Sequence, residues 1–141
     1  MSTEPEPAGE ELLGAARALR RRFSAALREH DIAPGQARAL RTIAEDPGLR
    51  LSALAQALRI APRSATQVMD ALAERGLAAR APDPSDRRAT RLLLTDAGAR
   101  MLETIDRVRA VESDRFLAPL TAEDQAHLSR ILRLLTEAPD A

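Results

Sequence analysis

The chain of 141 residues contains no cysteine, tryptophan or tyrosine, and only two phenylalanines. Without cysteine it can form no disulfide and no thiolate zinc site, and it has no thiol nucleophile or redox switch. With two phenylalanines, a pocket lined by aromatic rings is not expected, and both rings are expected in the core or in a subunit interface. Lysine is also absent, so all 21 basic side chains are arginines. This bias is also typical of a GC-rich coding genome, so it does not by itself indicate a function.

The sequence also lacks a long apolar run. Its longest uncharged stretch is Leu51–Leu58, whereas a membrane span needs roughly 18 apolar residues. The first residues, MSTEPEPAGEE, are acidic and rich in proline, unlike a secretory signal. We therefore expect a cytoplasmic protein without a membrane partner.

The formal net charge is zero, but the charges are unevenly distributed. Residues 1–11 carry four acids and no base, residues 12–58 carry eight arginines against four acids, and residues 59–91 carry seven against four. Residues 103–141 carry five arginines against eight acids. Because charges act over a Debye length of roughly 8–10 Å, the basic middle of the chain can bind a polyanion although the whole chain is neutral.

Apolar spacing and turn residues predict six helices and one hairpin after a disordered tail at residues 1–9. Ser52, Thr95 and Thr121 are predicted to cap the third, fifth and sixth helices. The hairpin is predicted from residues 77–81 and 89–94, with an exposed basic loop at 82–88. The predicted helices cover residues 12–31, 35–45, 52–58, 62–75, 95–116 and 121–135.

Two short helices, a turn, a longer helix and a basic hairpin predict a winged helix-turn-helix. The fourth helix has an apolar stripe and, opposite to it, a polar face with Arg63 and Gln67. Its first turn carries Arg63 where the fifth and sixth helices have acids. Since a cation is unfavourable at the positive end of a helix, a phosphate or a guanine edge near Arg63 would compensate. The alternative is an ordinary solvent-exposed helix in which Arg63 binds nothing.

The hairpin tip is rich in arginine. Arg87, Arg88 and Arg91 lie within five residues, where packing does not require them. Asp86 is predicted to hold a guanidinium in one orientation through charge-assisted hydrogen bonds. A positioned arginine suits the narrow minor groove of A/T-rich DNA. A solvated charged surface is the alternative reading of the same run.

Several motifs of the sequence resemble the MarR family of bacterial transcription regulators. The most specific part is Asp86-x-Arg88 followed by Leu94-Thr95 and Gly98. The resemblance covers the chain from about Leu12 to Leu135. The matching segments are Leu51-Ser52-Ala53-Leu54-Ala55, Glu74-Arg75-Gly76-Leu77, Asp83-Pro84-Ser85-Asp86-Arg87-Arg88-Ala89 and Leu94-Thr95-Asp96-Ala97-Gly98.

The resemblance implies a single domain at residues 10–141 that forms a homodimer. Residues 37–94 would be the DNA-binding lobe, and residues 10–31 and 95–138 the dimerisation helices. These flanks are amphipathic and too long merely to cap the lobe, which independently favours a shared interface. We therefore expect a sequence-specific regulator, acting as a ligand-responsive repressor on a pseudo-palindromic operator.

Carried over onto this chain, the family pattern implies that four residues of the fourth helix face base edges and phosphates. These residues are Arg63, Ser64, Thr66 and Gln67. Arg88 would reach the minor groove and Asp86 would orient it. The chain departs from the pattern at Ala61, where a Ser or Thr cap is usual, and at Gln67, where an arginine is frequent. Because glutamine pairs with adenine and arginine with guanine, Gln67 alters the expected base preference.

The sequence assigns no residue to a ligand. Family members often bind small aromatic anions, but Arg20, Arg41 and His30 are expected on the solvated surface. The two histidines are far apart in sequence and predict no metal site, and no cofactor is expected. No catalytic constellation is present, so an enzyme is not expected. The alternative function is a winged helix for protein contacts, which predicts an apolar or acidic recognition face.

Overall fold

Six helices and one antiparallel hairpin form the described part of the chain, Glu4 and residues 7–138 of a computed structural model. The predicted architecture is therefore confirmed. None of the helices in this part has the length and apolar character needed to cross a bilayer. In chain order the elements are α1 (Ala8–Arg28), α2 (Pro34–Glu45), α3 (Leu51–Leu58), α4 (Pro62–Glu74), β1 (Ala78–Asp83), β2 (Asp86–Leu94), α5 (Asp96–Leu117) and α6 (Ala122–Glu137).

The start of α1 corrects the predicted tail. The helix begins at Ala8, so the tail predicted for residues 1–9 is wrong for Ala8 and Gly9. Glu10 and Glu11 lie in the first turn, where negative charge suits the helix dipole. The rest of the prediction, at residues 1–3, 5 and 6, lies outside the described residues.

The core lies between the helix-turn-helix, β2 and α5. The apolar stripes predicted for α2 and α4 are buried, and the side chain of Ile105 joins them from α5. Burial of such side chains stabilises by roughly 1.5–3 kcal/mol each. The core therefore fixes the helix-turn-helix against the long helix α5. The largest fully buried side chains are Leu40, Ile43, Leu54, Met69, Leu72, Leu92 and Ile105.

Two of the three predicted helix caps are confirmed. Thr95 Oγ1 accepts the Gly98 N–H at 3.0 Å, and Thr121 Oγ1 accepts the Asp124 N–H at 3.1 Å. The cap predicted at Ser52 is wrong, because α3 already begins at Leu51 and its N-cap is Arg50. The extended chain before α3 pairs with β2, since the Leu92 N–H donates to the Leu49 carbonyl at 2.9 Å. The α3 helix begins directly after this pairing.

The hairpin is longer than predicted. Its connecting turn is only Pro84-Ser85, so the predicted loop at residues 82–88 is wrong over most of its length. Pro82 pairs with Thr90 before the register shifts, and Asp83 then pairs with Asp86. β1 is an edge strand, where a proline without an N–H is tolerated. The two strands therefore continue almost to the tip and stiffen it.

Candidate nucleic-acid interface

The outer face of α4 carries the residues predicted to read DNA. Arg63, Thr66 and Gln67 are exposed, and Ser64 is half-buried. The Thr66 hydroxyl donates to the Pro62 carbonyl at 3.1 Å, so its oxygen is left as an acceptor. The predicted polar surface is therefore present, opposite the buried stripe of Ala65, Met69 and Leu72.

The first turn of α4 has no acid and no side-chain cap. Its N-cap is Ala61, and Pro62 follows at the first helical position. The α5 and α6 helices each have a threonine cap and at least one acid in the first turn. The α2 and α3 helices also lack an acid there, so Arg63 is what distinguishes the first turn of α4. Because uncapped N–H groups and the helix dipole both favour an anion, this end of α4 is suited to a phosphate beside Arg63.

Two arginines outside the predicted site position α4. Arg80 on β1 forms an ion pair with Asp70 on the exposed face of α4. At the other end, Arg75 donates to the Asp31 carbonyl and, at 3.4 Å, to the His30 carbonyl. Asp70 is thus engaged with the hairpin, and its charge is partly compensated where DNA would approach. The sequence offered no sign of these pairs, because the partners are distant along the chain.

At the hairpin tip, Arg87 and Arg88 are exposed. Neither guanidinium forms a hydrogen bond or an ion pair with the residues that the structure describes. Asp86 Oδ1 accepts the backbone N–H of Arg88 at 3.0 Å. The predicted contact of Asp86 with a guanidinium is therefore wrong, because a short aspartate side chain readily reaches the amide two residues on. Asp86 orients the backbone that carries Arg88.

Arg91 does not belong to the exposed tip. Its Nε lies 3.4 Å from Asp83 Oδ2, and its Nη1 donates to the Gly48 carbonyl at 3.4 Å. The guanidinium is thus directed toward the protein, where it faces a buried carboxylate. The structure thus gives Arg91 contacts within the protein, and its DNA contact stays a prediction.

Asp83 is the buried centre of a polar cluster, although the sequence predicts it in an exposed loop. It is 2% exposed, and its Oδ1 accepts the Ser85 N–H at 2.9 Å and the Ser85 hydroxyl at 2.8 Å. Arg50 donates to Oδ2 from Nε at 3.0 Å and makes an ion pair through Nη2 at 2.9 Å. The Asp-x-Ser spacing could have indicated this contact, because an aspartate side chain often accepts a hydrogen bond from the residue two positions later.

The charge of Asp83 follows from these contacts. The amide and hydroxyl of Ser85, and then Arg50 and Arg91, hold the pKa of the Asp83 carboxyl well below its usual range, although burial acts in the opposite direction. The carboxylate therefore remains ionised at neutral pH and pairs with Arg50 before α3 and with Arg91 on β2.

A cavity of about 710 Å³ lies between α1, α2, α5 and the end of α3. Arg20 and Arg41 line it; Arg20 is exposed, as predicted, and Arg41 is half-buried. His30 is also exposed, as predicted, and lines a separate cavity of about 280 Å³. Phe23 also lines the larger cavity, with the Arg109 guanidinium 4.9 Å from the ring centre. The larger cavity is positively charged, since its ionisable lining residues are Arg20, Arg38, Arg41, Glu45 and Arg109.

The arrangement of α2, α3, α4 and the hairpin defines a winged helix-turn-helix protein. A model of the MarR family matches residues 32–90. A protein of Thauera aromatica, named as a putative transcriptional regulatory protein for the hcr operon, is 34% identical over 104 residues. The match covers 74% of this chain but only 63% of that relative, less than two thirds of its length. An uncharacterized HTH-type transcriptional regulator of Mycobacterium bovis is 32% identical over 108 residues, which cover 74% of this chain and 76% of that protein.

Solved structures agree with the fold. Wild-type MarR from E. coli, in its apo form, has a TM-score of 0.88 at 24% identity, covering 94% of this chain and 98% of that chain. The MarR family protein Rv2887 of Mycobacterium tuberculosis, in complex with DNA, has a TM-score of 0.80 at 27% identity over 93% of this chain and 98% of that chain. Its complex with salicylic acid has a TM-score of 0.75 at 28% identity, covering 95% of this chain and 99% of that chain. The chain belongs to the MarR family.

Proposed function

We propose that this protein is a cytoplasmic, sequence-specific DNA-binding regulator. The observation that carries the proposal is the presence, in one lobe, of an exposed, uncapped helix N-terminus and of two exposed arginines, Arg87 and Arg88, at the hairpin tip. In this arrangement α4 enters the major groove, with Gln67 facing base edges and Arg63 near a phosphate. Arg88 enters the adjacent minor groove. The polar and basic face of α4 favours DNA over the apolar or acidic surface expected for a protein partner.

The protein acts as a homodimer in this proposal. The α6 helix buries none of its residues in the single chain, although it has an apolar stripe. Leu134 and Leu135 are 62% and 60% exposed, and Val111 of α5 is also exposed. Such clustered apolar surface is unusual for a monomer. A two-fold dimer covers it and places a second α4 at a half-site about 10 base pairs away. Bound across a promoter, the dimer represses by obstructing polymerase.

The first test is fluorescence-anisotropy binding to the DNA upstream of the protein's own gene, with a scrambled duplex as control. We expect tighter binding to the upstream duplex, and weaker binding to both as salt rises, because phosphate contacts release counterions. Equal and weak binding to both duplexes, together with no selected sequence from a random DNA pool, would contradict the proposal.

Substitutions in α4 and at the hairpin tip are expected to have different effects on DNA binding. Arg88→Ala should weaken binding to A/T-flanked sites by roughly tenfold and reduce the salt slope by about one. Gln67→Ala should instead alter base preference, by about 1–3 kcal/mol at the base pair that it contacts. Competition binding with single-base variants of the operator measures both changes.

Arg130→Ala is the control for the lost charge, because Arg130 is exposed on α6 outside the helix-turn-helix and the hairpin. Because α6 belongs to the proposed dimer interface, this control is measured on an isolated half-site, where it should leave affinity and base preference unchanged. If Gln67→Ala weakens binding equally on every sequence, Gln67 does not read a base.

The arginine-lined cavity supports a further part of the proposal, that a small organic acid regulates DNA binding. Arg38 donates to the Leu58 carbonyl at 2.8 Å, and both residues line the cavity. Leu58 ends α3, immediately before the turn into α4. A carboxylate that draws Arg38 away from this carbonyl therefore disturbs the turn that positions α4. The relative Rv2887, solved with salicylic acid, supports salicylate as the probe.

Arg20 is the cavity arginine expected to contact the acid. Arg41 already pairs with Asp106 and Arg109 lies over Phe23, whereas Arg20 has no ion pair with the described residues. Arg20→Ala should weaken salicylate binding by roughly tenfold or more, because a hydrogen bond to a charged group contributes about 1.5–3 kcal/mol. Isothermal titration calorimetry measures the affinity. Arg21→Ala, an exposed neighbour that does not line the cavity, should bind salicylate as the wild type does.

A further inference from the structure

Arg50 occupies a helix-cap position without acting as a cap. It is the N-cap of α3, with φ −76° and ψ 154°, and its side chain makes no cap hydrogen bond. Serine, threonine, aspartate and asparagine are preferred there because their oxygens accept N–H groups of the first turn. The Arg50 guanidinium is instead directed to Asp83, with two nitrogens on one carboxylate oxygen. The Arg50 side chain therefore contacts the hairpin and does not cap its own helix.

Asp83 has little freedom to move away from this contact. Ser85 holds its other oxygen with two hydrogen bonds, and the carboxylate is buried. Asp83 ends β1, immediately before the two-residue turn at the tip. Arg50 thus joins the helix-turn-helix to the far end of β1, 33 residues away in sequence.

A second attachment lies at the other end of the hairpin arm. The Gly48 N–H donates to the Leu92 carbonyl, and the Leu92 N–H to the Leu49 carbonyl, both at 2.9 Å. This backbone pairing alone leaves the tip free to pivot about the base, whereas a contact near the tip fixes the direction of the arm. The Asp70–Arg80 pair also links the hairpin to α4. The Asp70 side chain is 63% exposed, however, whereas Asp83 is buried, so the solvated Asp70 pair contributes little.

We infer that Arg50, through Asp83, is a positioning residue that sets the direction of the hairpin and thereby the preference for DNA sequence flanking the half-site. The inference rests on the proposed DNA-binding function. Arg87 and Arg88 follow directly beyond the anchored turn, so a change in its direction displaces them from the minor groove. Base recognition by Gln67 on α4 does not depend on this contact. Loss of the Arg50–Asp83 contact should therefore change the preference for flanking sequence without changing the recognition of the base pairs that α4 contacts.

Arg50→Ser is the decisive variant because it removes the contact with Asp83 while supplying a good cap for α3. We expect the melting temperature to fall, because the buried Asp83 carboxylate loses one of its arginine partners and the new cap offsets only part of that loss. Under conditions in which the variant is folded, the affinity ratio between A/T-flanked and G/C-flanked duplexes should fall by roughly fivefold. Discrimination at the Gln67 base pair and the salt slope should stay at their wild-type values. Arg50→Lys, which keeps the charge but not the two-nitrogen contact, should lose part of the flank preference.

Hydrogen exchange tests the anchoring without DNA. In Arg50→Ser, the Ser85 amide should exchange faster, whereas the Leu92 amide at the hairpin base should keep its protection. An unchanged flank preference in Arg50→Ser would overturn the inference. A salt slope lower by about 0.9, with equal loss on all duplexes, would also overturn it, because Arg50 would then bind a phosphate directly. Absence of DNA binding by the wild type would refute the proposed function itself, and unchanged Ser85 exchange would refute the anchoring independently.

Discussion

Gly98→Ala is expected to lower the stability of the folded chain by about 3 kcal/mol or more. A Cβ at position 98 would lie 1.9 Å from the Leu77 carbonyl oxygen and 2.9 Å from the Leu77 carbonyl carbon. Both atoms belong to the backbone, so no side-chain rotation can relieve the overlap. Displacement of the chain in a well-packed region costs about 1–3 kcal/mol, and more when the neighbour is rigid. Thermal unfolding should show a melting temperature lower by roughly 10 °C.

The consequence extends beyond the clash because Leu77 and Gly98 form the junction between the winged lobe and α5. The same Leu77 carbonyl accepts the Thr95 N–H at 3.2 Å, and the Thr95 hydroxyl lies 2.5 Å from the Gly76 carbonyl. A Cβ at position 98 separates these groups, so we expect the hairpin to lose its fixed angle to α5. DNA affinity should therefore fall even below the melting temperature.

Gly35→Ala is the matched control, since Gly35 also lies in the first turn of a helix and a Cβ there meets nothing within 4 Å. It should be neutral or stabilise by about 0.4–1 kcal/mol, because alanine restricts the unfolded chain. If Gly98→Ala and Gly35→Ala have equal melting temperatures, close approach of Leu77 is not the reason for glycine at position 98.

The helices were predictable because their positions follow from local sequence. Leu40, Ile43, Met69 and Leu72 repeat at helical spacing, and all four are buried as predicted. The threonine caps of α5 and α6 were equally accessible, since a cap and its partner lie three residues apart. The exposed face of α4 followed from the same periodicity.

The contacts that orient the hairpin were not predictable in this way. Arg50 and Asp83 are 33 residues apart, and 21 arginines and 21 acids offer many alternative pairs. Arg91 was grouped with Arg87 and Arg88 because the three are close in sequence. The strand pairing instead places Arg91 beside Gly48 and Asp83, away from the tip. Proximity along the chain thus identifies a basic segment, whereas the sheet register decides which of its side chains are free.

The face of α6 provides the second large expected effect. Leu135→Asp should convert the proposed dimer into a monomer, because a carboxylate in the apolar interface must lose its hydration without gaining a partner. A monomer contacts one half-site at a time, so affinity for the full operator should fall by roughly 10²–10⁴-fold. Sedimentation velocity measures the oligomeric state, and anisotropy on full and half operators measures the affinity.

Leu93→Asp supplies the same chemical change at an apolar side chain that is 40% exposed but lies on the hairpin strand β2, outside the helices of the proposed interface. This variant should remain dimeric. Circular dichroism of Leu135→Asp should retain most of its helical signal, because α6 buries no residue in the single chain. A dimeric Leu135→Asp with full operator affinity would show that the exposed leucines of α6 do not hold the subunits together. Affinity for an isolated half-site should be equal in the wild type and in Leu135→Asp, since the α4 surface and the hairpin tip are the same in both.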